Sequence, residues 1–287
     1  MITGITGQDG AYLARLLLSE GYEVYGTSRQ IAPAPAWRLR EMQIEPQVTT
    51  LPMDLLDFDT VLQVIEKTRP DEVYNLAAQS SVGLSFAEPL YTGEADALGA
   101  ARLLEAGRVA KPDARFYQAS TSEMYGRARE TPQNEQTPFC PRSPYGVAKL
   151  YAHWMTVHYR EAHSLHASAG ILFNHESELR GPEFVTRKIT LSLARIKHGQ
   201  QDVLALGNLE ARRDWGFAGD FVRGMWRMVR QPEADDYVLA TGATHSVREF
   251  AEQAAACVGY TVAWEGEGVH ARGIDRRTGK VLVRVIQ

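Results

Sequence analysis

Thr3-Gly4-Ile5-Thr6-Gly7-Gln8-Asp9-Gly10 decides how the rest of the chain is read. It carries Gly-x-x-Gly-x-x-Gly and runs straight into a stretch, 12–20, with Leu13, Leu16 and Leu17 on one helical face. Such a turn brings backbone N–H groups at a helix N-terminus against a pyrophosphate. Glycine is needed where a Cβ would block that approach. Alone, the pattern also fits a plain loop. Its place at the head of an alternating chain favours dinucleotide binding.

Outward from it, β-rich runs at 23–28 (EVYGTS), 72–77 (EVYNLA), 115–119 (RFYQA) and 168–173 (SAGILF) alternate with helical stretches. The helical stretches are 12–20, 59–68 with Val61, Leu62 and Ile65 on one face, and a longer one at 90–110. This rhythm predicts an α/β fold, a doubly wound Rossmann-type parallel sheet with helices on both faces. Beyond about 175 the rhythm changes. A helix is expected at 184–198, a polar loop at 207–216, a helix at 217–230 and a strand at 237–240. Ser246-Val247-Arg248-Glu249 has the capping-box pattern and opens a helix to about Cys257. The expected organisation is a dinucleotide-binding domain over 1–175, joined by a return strand near 237–241, and a smaller α/β substrate lobe over 176–287. The Pro/Ala stretch at 32–36 reads as a connector.

Composition narrows the function classes. Of 287 residues, 44% are apolar and 23% charged, an ordinary globular balance. Lys and Arg number 31 against 35 acids, net -4, which argues for neither a nucleic-acid nor an anionic-membrane partner. Cys140 and Cys257 sit in no CxxC or Cys/His cluster, so no metal site or disulfide framework is expected. Reduced thiols fit the cytoplasm. The longest apolar run, 13–18, is interrupted by Arg15 and is far too short to span a membrane. The N-terminus has no secretory-signal pattern.

The second strand ends in Thr27-Ser28-Arg29. An acid there would bind the ribose hydroxyls of NAD, whereas a cation suits the 2′-phosphate of NADP. The other reading of Arg29 is a solvated side chain. Asp54-Leu55 follows the third strand, where Asp54 either accepts from an adenine amino group or caps the next helix. Leu76-Ala77-Ala78-Gln79-Ser80 ends the fourth, and its small side chains let backbone pack against a cofactor.

Ser143-Pro144-Tyr145-Gly146-Val147-Ala148-Lys149 holds Tyr-x-x-x-Lys. Ser143 is a good N-cap and Pro144 a good first helical residue. Tyr145 and Lys149 then share a helical face. An ammonium nearby stabilises phenolate, which makes the tyrosine a general base for a sugar hydroxyl. The fifth strand ends in Ala119-Ser120-Thr121-Ser122-Glu123-Met124-Tyr125-Gly126, at the edge where α/β enzymes place substrates. Thr121 can hydrogen-bond a substrate hydroxyl. Glu123 is the informative residue: redox chemistry alone needs no carboxylate, but removing a proton beside a ketone does. A surface ion-pairing glutamate is the alternative.

Together these residues resemble the extended short-chain dehydrogenase/reductase family and, within it, the GDP-mannose 4,6-dehydratase family. The densest stretches are GITGQDG at 4–10, YNLAAQS at 74–80, FYQASTSEMYG at 116–126 and PRSPYGVAKLY at 141–151. Others are GILFNHES at 170–177, FVTRKI at 184–189, LGNLEARRDWG at 206–216 and ATGATHSVREF at 240–250.

The resemblance implies an NADP-dependent lyase acting on GDP-mannose, early in routes to GDP-fucose or GDP-rhamnose. Tyr145 takes the 4-hydroxyl proton as hydride leaves for NADP⁺. Glu123 removes the carbon-5 proton, water leaves carbon 6 with acid shared between Glu123 and Thr121, and hydride returns to carbon 6. The implied product is GDP-4-dehydro-6-deoxy-mannose. Carried-over NADP contacts are the 4–10 turn (Gly4, Ile5, Thr6, Gly7, Gln8, Asp9, Gly10), Arg29, Asp54, Leu55, Leu76, Ala77, Ala78, Gln79, Ser80, Tyr91, Lys149, His175 and Arg180. Nucleotide-sugar contacts are Ser80, Asn174, Lys188, Asn208 and Arg213. A homodimer or homotetramer is implied.

Several positions depart from the family pattern. Only Met1-Ile2 precedes the glycine turn, so a poorly anchored first strand is expected. The family continues past 281–287 with a further nucleotide-contacting segment and closing helices, so a shortened substrate lobe is expected. Gln30 replaces a second arginine, and Ser81 and Glu178 stand where histidine and proline are usual. Three hypotheses follow: an active dehydratase; an epimerase or 4-ketosugar reductase, for which Glu123 has no use; and a truncated, weakly active or inactive paralogue that binds NADP or partners a full-length subunit.

Overall fold

The computed structural model describes residues 1–29 and 36–286; Gln30 and the Pro/Ala connector at 32–35 lie outside the described residues. The chain divides into two units, Met1–His175 with Gly216–Ala240, and Glu176–Trp215 with Thr241–Gln287.

In chain order the first unit begins with β1 (Ile2–Thr3), α1 (Gln8–Ser19), β2 (Val24–Ser28), α2 (Trp37–Glu41), β3 (Val48–Pro52), α3 (Phe58–Thr68) and β4 (Glu72–Asn75). It continues with α4 (Val82–Ala87), α5 (Pro89–Thr92), a π-helical turn at Gly93–Leu98, α6 (Gly99–Ala110), β5 (Arg115–Thr121), α7 (Pro144–His163) and β6 (Ala167–Leu172). After β7 (Asn174–Glu176) come α8 (Val185–Lys197), β8 (Leu204–Leu206) and β9 (Arg212–Phe217). The chain returns to the first unit as α9 (Ala218–Val229) and β10 (Asp236–Leu239). It then completes the second with β11 (Thr244–Ser246), α10 (Val247–Cys257), β12 (Val262–Glu265), β13 (Arg272–Asp275) and β14 (Val281–Val285).

The first unit is a Rossmann-type sheet of seven strands in the order β3-β2-β1-β4-β5-β6-β10, with every pairing parallel. A parallel sheet is covered on both faces, so its strands read as buried runs. Val61, Ile65, Leu103 and Leu104 cover one region of it from α3 and α6. The expectation of a poorly anchored β1 is corrected. Ile2 is fully buried and pairs with Gly26 on one side and Tyr74 on the other. The Met1 nitrogen also donates to the Glu72 carbonyl at 2.6 Å. Burial and ladder bonds on both edges compensate for brevity.

Two further expectations change. The single helix at 90–110 is α5, a π turn and α6 in succession. The π turn inserts an extra residue into the helical repeat, and Asp96 within it is buried, accepting from the Gln79 N–H at 2.7 Å. The polar stretch at 207–216 is not all loop, because Arg212–Phe217 forms β9 and pairs antiparallel with β11. Its polarity misleads because Asp214 points inward. Its carboxylate accepts from Thr241 N (3.0 Å), Thr241 Oγ1 (2.9 Å) and Gly242 N (2.8 Å).

In the second unit, α8 packs on α10, and Ile189, Leu193, Ala251, Ala255, Leu282 and Val283 share one core. Its four-stranded sheet runs β12-β13-β14-β8. The capping box forms: Ser246 Oγ accepts from Glu249 N at 3.0 Å and Glu249 accepts from Ser246 N at 2.8 Å. Among the described residues no helix is long and apolar enough to cross a membrane.

Candidate functional site

The strand order reverses between β1 and β4, and α/β sheets open a crevice beyond the carboxyl ends of such strands. Here the glycine turn meets the loop after β4. Gly4 has φ +67°, and a β-carbon on it would stand 2.9 Å from both the nitrogen and the Cα of Ala77. A β-carbon on Gly10 would stand 2.5 Å from the Gly4 carbonyl oxygen. Thr3 fixes the approach: its hydroxyl accepts from Leu76 N and Ala77 N, each at 3.0 Å, and donates to Asn75 Oδ1 at 2.8 Å. Asn75 passes the chain to Gln118 at 2.9 Å. This buried relay ties the ends of β1 and β4 to the middle of β5, and nothing in the sequence pattern marked it.

A cleft of about 290 Å³ opens there. Gly4, Thr6 and Gly7 line it from the turn, Arg29, Asp54 and Leu55 from the ends of β2 and β3, and Leu76, Ala77, Ala78 and Ser80 from the loop after β4. Tyr91 completes the lining; its hydroxyl accepts from Arg29, whose guanidinium lies 5.6 Å from the ring centroid. The backbone approach at Gly4, the α1 N-terminus and the cation at the end of β2 suit a dinucleotide. Arg38 on α2 donates to the Thr6 carbonyl at 2.9 Å, a second cation at this turn that sequence reading missed.

Other predicted cofactor residues face inward. Ile5 is fully buried and packs where a β-carbon of Gly26 would fall. Gln79 bonds Ser81 and Thr92. Of the two readings of Asp54, the helix cap is corrected: Asp57 caps α3, accepting from Asp59 N at 3.1 Å, while Asp54 accepts from Leu56 N at 3.0 Å in the preceding turn. Ser81 accepts from Leu84 N at 3.2 Å and caps α4, which accounts for a serine there. Gln8, Asp9 and His175 join one another: Asp9 Oδ2 lies 2.8 Å from His175 Nε2, and Gln8 Nε2 donates to Asp9 Oδ1 at 3.0 Å and to the His175 carbonyl at 3.1 Å.

The chemical residues converge at the end of β5. Thr121 Oγ1 accepts from Glu123 N at 3.2 Å and caps the short turn at Ser122–Met124. Ser143 caps α7, accepting from Gly146 N at 3.0 Å, with Pro144 at the first helical position. A β-carbon on Gly146 would stand 2.9 Å from the Glu123 carbonyl oxygen, so the first turn of α7 lies against the backbone of Glu123. Tyr145 is buried, and the ammonium of Lys149 lies 5.9 Å from its ring centroid. Lys149 Nζ donates to the Ala119 carbonyl at 3.1 Å.

Burial lowers the Lys149 pKa, and the negative charge of Asp96 opposes that shift. Burial pushes the Asp96 carboxyl up to about 6 against the pull of Lys149. Its Oδ2 has no hydrogen-bond partner among the described residues. Sequence reading missed Asp96 because it lies inside the long helical stretch.

The remaining predicted residues are distributed over both units. Asn174 begins β7 in the first unit. In the second, Arg180 Nε lies 3.3 Å from Glu176 Oε2, with its guanidinium 3.6 Å from the Phe184 ring centroid. Lys188 is half-buried on α8. Arg213 is exposed on β9 and donates to the Arg212 carbonyl at 2.8 Å; Asn208 accepts from Glu210 N at 2.9 Å.

The fold recurs in solved structures. A dTDP-glucose 4,6-dehydratase from Streptomyces venezuelae, solved with NAD and TYD bound, matches with a TM-score of 0.81 at 21% identity, over 99% of this chain and 83% of that one. A UDP-glucose 4-epimerase from Thermus thermophilus matches at 0.78 and 23%, over 100% and 89%. At that identity they speak for the fold alone. Sequence relatives are nearer. A GDP-mannose 4,6-dehydratase of Sinorhizobium fredii is 55% identical over 99% of this chain and 83% of its own length. One from Homo sapiens is 48% identical over 99% and 79%. The profile of the family described as GDP-mannose 4,6 dehydratase matches residues 1–287. A profile that spans the chain, with relatives about half identical to it, leads to one assignment: this chain belongs to the GDP-mannose 4,6-dehydratase family.

Proposed function

We propose that the chain converts GDP-mannose to GDP-4-dehydro-6-deoxy-mannose, a hydro-lyase reaction with NADP as resident cofactor. The observation that carries this reading is that the first turn of the helix bearing Tyr145 lies against the backbone of Glu123. Glu123 follows β5 directly.

Arg29, the turn at 4–10, Asp54, Leu55, the loop at 76–80, Tyr91, Lys149 and Arg180 hold the cofactor in this reading, and Asp9 and His175, joined to each other, set the charge of the turn. Arg29 at the end of β2, where no acid stands, favours NADP over NAD. Bound NADP⁺ supplies a hydride acceptor at carbon 4 and, once reduced, the donor for carbon 6. Tyr145 takes the proton of the 4-hydroxyl, and the Lys149 charge lowers the cost of its phenolate. A ketone at carbon 4 acidifies carbon 5, and Glu123 removes that proton. Glu123 and Thr121 share the acid that lets carbon 6 lose water. Ser80, Asn174, Lys188, Asn208 and Arg213 bind the nucleotide sugar, where cations suit a diphosphate.

The same reading makes the chain a cytoplasmic homo-oligomer. Val147, Tyr151 and Trp154 form an exposed stripe along α7, with Phe86 and Leu90 exposed on the neighbouring α4 and α5. A second copy would cover such a surface.

Incubation with GDP-mannose and a trace of NADP⁺ tests the reading. It expects a 6-deoxy-4-keto product without net NADPH. E123Q should abolish product formation, and turnover retained in that variant would remove Glu123 from its role. Binding of NADPH without any turnover would favour the inactive-paralogue reading.

A further inference from the structure

Asp9 sets a carboxylate in the first turn of α1, whose N-cap, Gly7, lines the cleft. An ionised acid there offsets the positive end of the helix and repels an incoming diphosphate. The structure holds a group that removes the conflict. His175 Nδ1 lies 2.8 Å from the Phe173 carbonyl oxygen, and Nε2 lies 2.8 Å from Asp9 Oδ2. A backbone carbonyl only accepts, and so does an ionised carboxylate. Both ring nitrogens must then donate, which only an imidazolium does.

Two further contacts agree with a charged ring. It stacks on Phe221 with centroids 4.4 Å apart and planes 19° from parallel, and an aromatic face favours a cation. Gln8 Nε2 fixes the other Asp9 oxygen, which holds the carboxylate edge towards the histidine. Tyr117 on β5 also feels Asp9, but burial first, and Asp9 second, push its phenol well up, so it stays neutral.

We propose that His175 is a positioning residue: its doubly protonated ring cancels the charge of Asp9, so that the α1 N-terminus keeps its affinity for a dinucleotide diphosphate. The second half rests on the cofactor reading above; the first does not.

The test has two arms on the full chain. With histidine rings labelled by ¹⁵N, and His175 assigned by comparison with H175Q, the ligand-free protein at neutral pH should show both His175 nitrogens protonated. One unprotonated nitrogen overturns the proposal. NADPH titration at low salt should weaken about tenfold in H175Q and recover to within about threefold of wild type in D9N/H175Q, because removing the anion removes the need for its counter-charge. A loss that D9N fails to rescue overturns the proposal. A wild type that takes up neither NADP⁺ nor NADPH overturns the cofactor reading and the second half with it, while the ring spectrum still decides the first.

Discussion

The Thr121 hydroxyl accepts the backbone N–H of Glu123 at 3.2 Å, so the residue that ends β5 also shapes the turn carrying the proposed carbon-5 base. T121V removes the acceptor at nearly constant volume. The turn loosens and the carboxylate loses its fixed aim, which costs about a hundredfold in kcat, since misplacement by about 1 Å has that effect. T121S restores the acceptor and should recover most of the rate. Steady-state kinetics with GDP-mannose, alongside NADPH binding that stays unchanged in both variants, checks this.

G4A should disable the cofactor cleft. Gly4 occupies the left-handed region, and its β-carbon would meet Ala77 backbone at 2.9 Å, where no flexible side chain can yield. A non-glycine residue there costs about 1–2 kcal/mol in strain before any clash. Fluorescence titration should show NADPH affinity reduced at least about a hundredfold, with a lowered Tm.

Asp96 makes stability depend on pH. Its carboxyl rises from 3.8 to about 6, with burial outweighing the attraction of Lys149. The folded chain therefore holds this proton more tightly than the unfolded chain. That contribution is complete below about pH 4 and is lost as the pH climbs through about 6. D96N removes the ionisation, so the variant should gain on wild type across that window by about 1–3 kcal/mol, read from urea midpoints at each pH. Lys149 would at the same time lose the charge that opposes its lowered pKa, so the alkaline limb of kcat should move to lower pH. An unmoved limb would separate Asp96 from Lys149.

S246A should cost about 1 kcal/mol, because the hydroxyl that accepts from Glu249 N at 3.0 Å closes the first turn of α10. Denaturation followed by Trp264 fluorescence reads the second unit, since Trp264 joins the core on which α10 packs. Cofactor titration should be unaffected.

Much of the fold was legible because its signals are local. The glycine turn, the alternation through β6, the Ser143-Pro144 start of α7 and the Ser246/Glu249 box each depend on a few adjacent residues. The four residues gathered near the end of β5 were legible for the same reason, through a strand end and an i,i+4 pair. What escaped depends on partners distant in sequence. Asp214 looks like loop polarity until Thr241 and Gly242 are folded onto it. Asp96 looks like a helix-surface acid until the π turn directs it towards Gln79. The Thr3–Asn75–Gln118 relay exists only once β1, β4 and β5 stand side by side. Asp54 also read as the cap of α3, but the folded turn gives that place to Asp57, three residues on.

The first unit is interrupted: β10 and α9 reach it only after 176–215 has been laid down elsewhere. A nascent chain leaving the ribosome can therefore assemble six strands early, but β6 must wait as a bare sheet margin, and α1 must wait for the helix that packs on it. Exposed strand margins recruit foreign strands. Translation through this interval is the stage at which a chaperone would have most to protect, and a fragment cut at His175 would carry the same hazard permanently.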